Sequence, residues 1–267
     1  MEQPLILVTN DDGIESQGLW SAAAALLPLG EVLVVAPDRQ WSGAGRSMPP
    51  TLTGHVTRAG RDLDGQWVDA YAVDATPAVS VILALLELAP RKPALVVSGI
   101  NFGENVSTEI TVSGTVGAAL EAAASGIPAL AVSLAMPVAY HMSGSDGADY
   151  AAAAAFTQRF GRLLLERLLP YDVDMLNINV PQDAGPDSPW RLTRLSRCRY
   201  FLPLPPDREN GVGKPGYKRM DDFEQAEPDS DVRTLNVDGV VSVTPLSLDM
   251  TSRMDFGTLE EQLRLVR

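Results

Sequence analysis

LILVTNDDG, residues 5–13, places a short apolar run directly before a polar turn. The apolar and β-branched residues from Leu5 to Thr9 predict a buried strand, and Asn10 and Gly13 indicate the turn that ends it. The chain therefore begins as each unit of an α/β sheet begins, with a strand followed by a tight turn.

Two adjacent carboxylates, Asp11 and Asp12, occupy this turn. Open α/β sheets bind their ligands at the carboxyl ends of the strands. Because neighbouring like charges repel, the pair ionises readily only beside a cation, and a hard divalent cation with oxygen ligands is the natural partner. The alternative is a helix cap, where a carboxylate interacts favourably with the helix dipole. The stretch alone leaves both interpretations open.

The composition indicates one large domain. The 267 residues are 45% hydrophobic, enough to bury a full core, so we predict a single α/β domain spanning 1–267. A net charge of −13 excludes nucleic acid polymers as expected partners, because binding to a phosphate backbone depends on Lys and Arg. Cys198 is the single cysteine and His55 and His141 are the only histidines, so we expect neither a disulfide nor a zinc cluster.

The sequence contains neither a signal peptide pattern nor a membrane span. The first residues, MEQPLILVTN, carry no basic region, and no apolar stretch reaches about 18 residues without Gly, Pro or charge. We therefore predict a cytoplasmic protein with no membrane partner.

Strand-like and helix-like segments alternate from residue 5 to residue 180. The predicted strands are 5–9, 31–36, 66–73, 94–98, 128–134 and 175–180, and the predicted helices are 18–29, one beginning at Thr76-Pro77, 113–125 and 149–169. Such alternation implies right-handed crossovers and a mostly parallel sheet covered by helices on both faces. The predicted fold class is therefore α/β, with three layers.

The pattern changes between residues 203 and 238, which are rich in Pro, Gly and charged residues. The flanking segments 191–202 and 240–246 resemble strands, and 256–266 predicts a final helix. An irregular insert of this length is uncommon inside a compact domain. We interpret 203–238 as a C-terminal β-hairpin or extended excursion between paired strands that is used in oligomerisation, with a solvated surface loop as the alternative.

Three further motifs follow predicted strands or begin a predicted helix at the same edge of the sheet. They supply Ser42, Gly43 and Arg46 from APDRQWSGAGRS, Asn101 and Asn105 from SGINFGEN, and Ser113, Gly114 and Thr115 from TVSGTVGA. Hydroxyl and amide oxygens can complete a magnesium or manganese shell, and free N–H groups at a helix start bind phosphate. Each motif alone is typical of a cap, a turn or a solvated side chain. Their convergence indicates phosphoryl chemistry.

These motifs resemble those of the SurE family of survival proteins. TNDDG, APDRxxSGA, VVSGIN followed by GEN, and YSGTV, here with Val112 in place of the tyrosine, occur in the family's order and at similar spacing over residues 5–135. The resemblance implies a Rossmann-like fold, swapped dimers or tetramers, and a metal-dependent 5′/3′-nucleotidase. Such an enzyme hydrolyses nucleoside monophosphates and, in some members, polyphosphate.

The resemblance also implies a set of site residues. It places metal ligands, for Mg²⁺ or Mn²⁺, at Asp11, Asp12, Ser42 and Asn101, with the two aspartates as the catalytic residues. Phosphate and substrate contacts are predicted at Asn10, Gly43, Arg46, Asn105, Ser113, Gly114 and Thr115. One departure is that members commonly show TPADCV where residues 75–80 read ATPAVS, so that the aspartate is absent.

The net charge of −13 disfavours the approach of a phosphomonoester dianion, so attraction must be local. It would come from the metal, from Arg46 or Arg39, and from the main-chain amides of residues 114–117. We expect Asp11 or Asp12 to orient an attacking water, with direct attack by an aspartate as the rival.

Two other function classes remain open, a cation-dependent nucleoside hydrolase and a non-catalytic metal-binding assembly protein. A dinucleotide enzyme is disfavoured because the first turn lacks Gly-x-Gly-x-x-Gly.

Overall fold

The computed structural model describes residues 3–138, 147–167, 169–208 and 211–265. The elements of the first half are β1 (Leu5–Thr9), α1 (Gln17–Leu26), β2 (Glu31–Pro37), β3 (Val56–Arg58), β4 (Arg61–Leu63), β5 (Gln66–Val73), α2 (Pro77–Leu83), β6 (Leu95–Phe102), α3 (Gly114–Ala124) and β7 (Ala129–Leu134). Those of the second half are α4 (Ala151–Glu166), β8 (Met175–Val180), β9 (Trp190–Leu192), β10 (Phe201–Leu204), β11 (Gly216–Arg219), α5 (Asp231–Asn236), β12 (Val241–Leu246) and α6 (Phe256–Arg264).

Ten strands form one mixed sheet in the order β3-β5-β2-β1-β6-β7-β8-β12-β9, with β4 paired to β5. The six central strands from β5 to β8 are parallel to one another. The pairings of β3 and β4 with β5 and of β12 with β8 are antiparallel. The predicted α/β class with a mostly parallel sheet is therefore confirmed.

Helices cover both faces of the sheet. Ile6 and Val8 of β1 pack into a core with α1 and α4, whereas Leu5 and Leu7 pack into a second core with α2 and α3. This division follows from the alternation of side chains along a strand. The carboxyl end of β1 accordingly opens between two helical layers, as the predicted three-layer sandwich requires.

The strand predicted to end at Ser98 instead continues to Phe102. Gly99 has a φ of +129°, and a Cβ there would lie 2.2 Å from the carbonyl oxygen of Val132. Glycine thus permits an irregularity, seen as a register shift against β7 between Ser98 and Asn101, after which the strand resumes. Asn101 consequently lies inside the strand and not in the loop after it.

Residues 203–238 form two distinct parts. Strands β10 and β11 pair with each other as an antiparallel hairpin, which confirms the predicted C-terminal hairpin. The part that includes α5 instead packs into a third buried cluster with Val106 and Tyr200, to which it contributes Ala226, Val232 and Leu235. Only the hairpin has the character of an excursion, because buried apolar contacts hold the remainder against the loop after β6.

Helix α6 is exposed along most of its length, with Phe256 and Leu263 at 63% and 64% of their full accessibility. No helix in the described part of the chain combines the length and apolar character needed to cross a membrane.

Candidate active site

The turn after β1 is closed by its own asparagine. Asn10 is fully buried, its Nδ2 donates to the carbonyl of Gly13 at 3.0 Å, and its Oδ1 accepts from the Gly13 N–H at 3.1 Å. Both ends of the amide therefore brace the turn that presents the two aspartates. Its predicted contact with substrate stays a prediction.

Asp11 is buried against the N-terminus of α3. Its Oδ1 accepts a 2.6 Å hydrogen bond from the Thr115 hydroxyl. A Cβ on Gly114 would lie 2.6 Å from the Asp11 Cβ, so this close approach requires glycine. Burial raises the pKa of Asp11, although hydrogen bonds from Thr115 and Gly114 oppose the shift by favouring the charged form.

Asp12 turns towards the end of β6. Its Oδ2 accepts from the Phe102 N–H at 3.1 Å, and its Oδ1 lies 3.3 Å from Nε2 of Gln40. Burial, together with the negative charge of Asp11, raises the pKa of Asp12 to about 7. A cation bound between the carboxylates would offset both effects.

The loop after β2 is tied to both sides of this turn. The Trp41 N–H donates to the Asp11 carbonyl at 2.7 Å, and the Gly45 N–H donates to the Val112 carbonyl at 2.9 Å. Ser42 and Gly43 are exposed between these two attachment points. The predicted ligand Ser42 thus directly follows Trp41, the residue that contacts the Asp11 main chain.

Arg46 forms an ion pair with α3. Its Nε lies 2.6 Å from Oε2 of Glu121, which is buried on that helix. The sequence interpretation missed Glu121, and nothing in the string LEAAAS distinguishes it from a solvated helix residue. A phosphate contact of Arg46 stays a prediction.

Asn101 and Asn105 have different environments. Asn101 Nδ2 donates to the Gly103 carbonyl at 2.6 Å, which fixes the amide and leaves Oδ1 as a candidate ligand oxygen. Asn105 Nδ2 donates to the Thr115 hydroxyl at 3.3 Å and to the Ser133 hydroxyl at 2.9 Å. Asn101 precedes Phe102, whose N–H reaches Asp12, whereas Asn105 contacts Thr115.

Two further asparagines, missed in the sequence, hold Asn105 in place. The Asn105 carbonyl accepts from Asn177 Nδ2 at 2.8 Å and from Asn179 Nδ2 at 2.9 Å, and its N–H donates to Asn179 Oδ1 at 2.8 Å. The signal was present in MLNINV, because two amides two residues apart in a buried strand share one face and need partners.

Ser113 caps α3, as its position predicts. Its Oγ accepts from the Val116 N–H at 3.1 Å, so the helix begins at the predicted Ser113-Gly114-Thr115 turn. The first-turn N–H groups of α3 are already engaged, those of Gly114 and Thr115 by the Asp11 carboxylate. A phosphate contact at Gly114 or Thr115 stays a prediction.

The donor chemistry fits a magnesium or manganese site built from oxygens. Within the described ranges, no three His, Cys, Asp or Glu side chains gather as a metal cluster, and His141 lies outside those ranges. The candidate donors are instead two carboxylates, the Asn101 amide oxygen and the Ser42 hydroxyl. Oxygen-only sets suit Mg²⁺ and Mn²⁺, whereas zinc sites favour nitrogen and sulfur.

The three-layer α/β sandwich places its paired aspartates at the carboxyl edge of a parallel sheet, beside a helix N-terminus. This defines the class of open α/β proteins, in which ligands bind at that edge. Comparison with known proteins identifies the family. The family model described as "Survival protein SurE" matches residues 6–201. The chain belongs to the SurE family, in agreement with its motifs.

Relatives match nearly the whole chain. A protein of Thermococcus gammatolerans named 5′-nucleotidase SurE is 46% identical over 262 residues, covering 97% of this chain and 95% of that protein. A 5′-nucleotidase SurE of Archaeoglobus fulgidus is 42% identical over 260 residues, covering 96% and 95%. The crystal structure of the SurE protein from Aquifex aeolicus matches with a TM-score of 0.72 at 32% identity, covering 99% of this chain and all of that one.

Proposed function

We propose that this protein is a metal-dependent phosphomonoesterase that hydrolyses nucleoside 5′- and 3′-monophosphates to nucleoside and phosphate. Mg²⁺ or Mn²⁺ is the proposed cofactor, and polyphosphate is a further substrate of the same chemistry. The similarity to proteins named 5′-nucleotidase supports the reaction class. The observation that carries the proposal is the 2.6 Å contact between Asp11 and Thr115, which joins a candidate cation site to a candidate phosphate site.

Substrate binding would depend on the first turn of α3. The chain carries a net charge of −13, so a phosphomonoester dianion gains its attraction only at close range. The positive end of the α3 dipole adds a favourable field without a side-chain charge. A divalent cation, when bound, contributes Lewis-acid chemistry and makes water more acidic. The phosphate would therefore lie beside the aspartates and their cation, because Asp11 already contacts the α3 N-terminus.

The two aspartates differ in what they can do. Asp11 is only 6% exposed and is committed to the α3 N-terminus, so we assign it to holding the cation. Asp12 is half-buried, and among the described residues its Oδ1 has only the long 3.3 Å contact with Gln40. We therefore assign Asp12 to orienting the attacking water and accepting its proton. Direct attack by Asp12 on phosphorus is the rival mechanism.

The assay that tests this proposal measures phosphate and free base separately. Demetallated protein would be given a panel of nucleoside 5′- and 3′-monophosphates and a short polyphosphate, with and without Mg²⁺ or Mn²⁺. We expect phosphate release only with the cation. Release of base without phosphate would indicate a nucleoside hydrolase, and cation binding without turnover would indicate an assembly protein. Full turnover after rigorous demetallation would contradict metal dependence.

We also propose that the protein is a homodimer or homotetramer assembled through the β10–β11 hairpin. Leu204 and Tyr217 on this hairpin are 41% and 42% exposed. The exposed apolar side chains Phe256 and Leu263 of α6 are a second candidate contact between copies. Contact with a second copy would remove apolar area from water, which stabilises association.

A further inference from the structure

Hydrogen bonds connect the side chains of Asn105, Thr115 and Asp11 in that order. The Thr115 hydroxyl donates to Asp11 Oδ1 at 2.6 Å, and Asn105 Nδ2 donates to the Thr115 oxygen at 3.3 Å. A hydroxyl has one proton to donate. Because the Asn105 amide donates to Thr115, the Thr115 proton is directed at the carboxylate.

Asn105 cannot easily rotate out of this arrangement. Its Nδ2 also donates to Ser133 at 2.9 Å, and its main chain is held by Asn177 and Asn179 of β8. These amides and hydroxyls lie on buried strands, where a lost partner is costly. Strand β8, two strands away from β6 in the sheet, therefore helps to orient Thr115 through Asn105.

We propose that Asn105 and Thr115 are positioning residues that fix the rotation of the Asp11 carboxylate and so set the protein's affinity for its divalent cation. The proposal deepens the proposed function and rests on it. Outer groups that orient a ligand typically change metal affinity by about 10- to 100-fold. Asn105 acts through Thr115, and Thr115 acts on Asp11.

The competing role is direct contact with substrate. The Thr115 side chain has no exposure and its one proton is committed to Asp11, so its hydroxyl is poorly placed to bind a phosphate. If Asn105 and Thr115 bound substrate directly, their removal would raise KM and leave the cation affinity of the substrate-free protein unchanged. Cation affinity measured without substrate therefore separates the two roles.

The test is calorimetric titration of Mn²⁺ into demetallated, substrate-free protein. Thr115→Val removes the hydroxyl at nearly constant volume, and we expect Kd to rise about 10- to 100-fold. Thr115→Ser keeps the donor and should restore the wild-type Kd to within a few-fold. Thr157→Val is the matched control, since Thr157 is also a buried helical threonine but donates to the Ala153 carbonyl on α4, across the sheet.

Asn105→Ala provides a second route, because it removes the side chain while the main-chain bonds to β8 remain. We expect this variant to have a higher Kd for Mn²⁺. Combining it with Thr115→Val should cause no further loss of Mn²⁺ affinity, since one residue acts through the other. Thermal melting in chelator checks folding, so that if Thr115→Val does not fold, Asn105→Ala and Thr115→Ser carry the test.

Three outcomes would overturn the proposal. A Kd for Thr115→Val equal to that of Thr157→Val removes the positioning role of Thr115. Independent, additive losses in the double variant remove the connection between Asn105 and Thr115. No Mn²⁺ or Mg²⁺ binding by the wild-type protein overturns the metal-dependent function itself, which keeps the two failures distinct.

Discussion

The Tyr200 hydroxyl donates a 2.6 Å hydrogen bond to Oε1 of Glu104, across 96 positions of sequence. Glu104 lies in the loop between Asn101 and Asn105, with its side chain fully buried. Its Oε2 accepts from the Met136 N–H at 3.1 Å. Nη1 of Arg219 lies 3.8 Å from Oε1 of Glu104. One buried carboxylate thus joins the C-terminal segment and the hairpin to the loop that carries the candidate site.

Tyr200→Phe should destabilise the fold by about 1–3 kcal/mol, because it leaves a buried carboxylate with one donor fewer. Burial and the charge of Glu104 raise the pKa of Tyr200, so its hydroxyl stays a donor throughout the neutral range. Denaturant unfolding of both proteins measures the difference. Tyr171→Phe is the control, since Tyr171 is fully exposed and the same change there should be neutral. Equal midpoints for the two variants would contradict the prediction.

Asp12→Asn should lower the turnover of nucleoside 5′-monophosphates by roughly 100-fold or more, about 3 kcal/mol in barrier, because it removes the carboxylate that would offset the cation and orient the attacking water. Melting in chelator should be unchanged or slightly improved, since one of two repelling carboxylates is gone. Asp187→Asn, at a fully exposed carboxylate, is the control for charge alone. Near-native turnover of Asp12→Asn would leave Asp12 only its structural contact with the Phe102 N–H.

Replacing residues 203–217 by a short Gly-Ser linker should shift the mass in solution towards the monomer, because it removes the exposed hairpin residues Leu204 and Tyr217. The replacement keeps α5, whose Val232 and Leu235 belong to a buried cluster, so the fold should survive. Light scattering gives the mass, and circular dichroism confirms folding. The milder double substitution Leu204→Ser with Tyr217→Ser should act in the same direction. A folded variant with the wild-type oligomeric mass would remove the hairpin from the interface.

Thr53→Val should move the acid limb of unfolding to higher pH. Hydrogen bonds from Thr53 and Arg39 hold the pKa of Asp74 at about 2. Because this pKa is below the ordinary value of about 3.9, the carboxylate stabilises the fold above about pH 4 and loses that effect as the pH falls towards 2. NMR titration of Asp74 should show its pKa rising in the variant. The Asp255 pKa, which Thr258 lowers at a distant helix cap, serves as an internal reference and should not move.

The central strands could be predicted where an apolar run lies between turn residues. The bounds predicted for 5–9, 66–73 and 175–180 are those of β1, β5 and β8. The end of β6 could not be predicted in this way. Gly99 normally marks a turn, and only its contact with Val132, 33 positions later, turns it into a bulge.

The position of the candidate site followed from the sequence, but its internal connections did not. The string NDDG places Asp11 and Asp12 at the sheet edge, since strand ends define that edge. Which side chain each aspartate meets depends on how α3 and β6 pack, and no local pattern encodes that. The sequence pattern indicates that Asn177 and Asn179 are buried amides in a strand. Their partner, Asn105, depends on the position of β8 in the sheet.

The hydrogen bonds that hold Asn105 can form only late in synthesis, because their partners lie on β8. All proposed ligands and phosphate contacts lie within the first 117 residues, whereas the two amides that hold Asn105 come from residues 177 and 179. Chains emerge from the ribosome N-terminus first. A nascent protein that ends before β8 therefore carries every proposed ligand of the site but lacks the two amides that hold Asn105. Insertion of β8 beside β7 is the event that would convert a loose collection of donors into a metal centre.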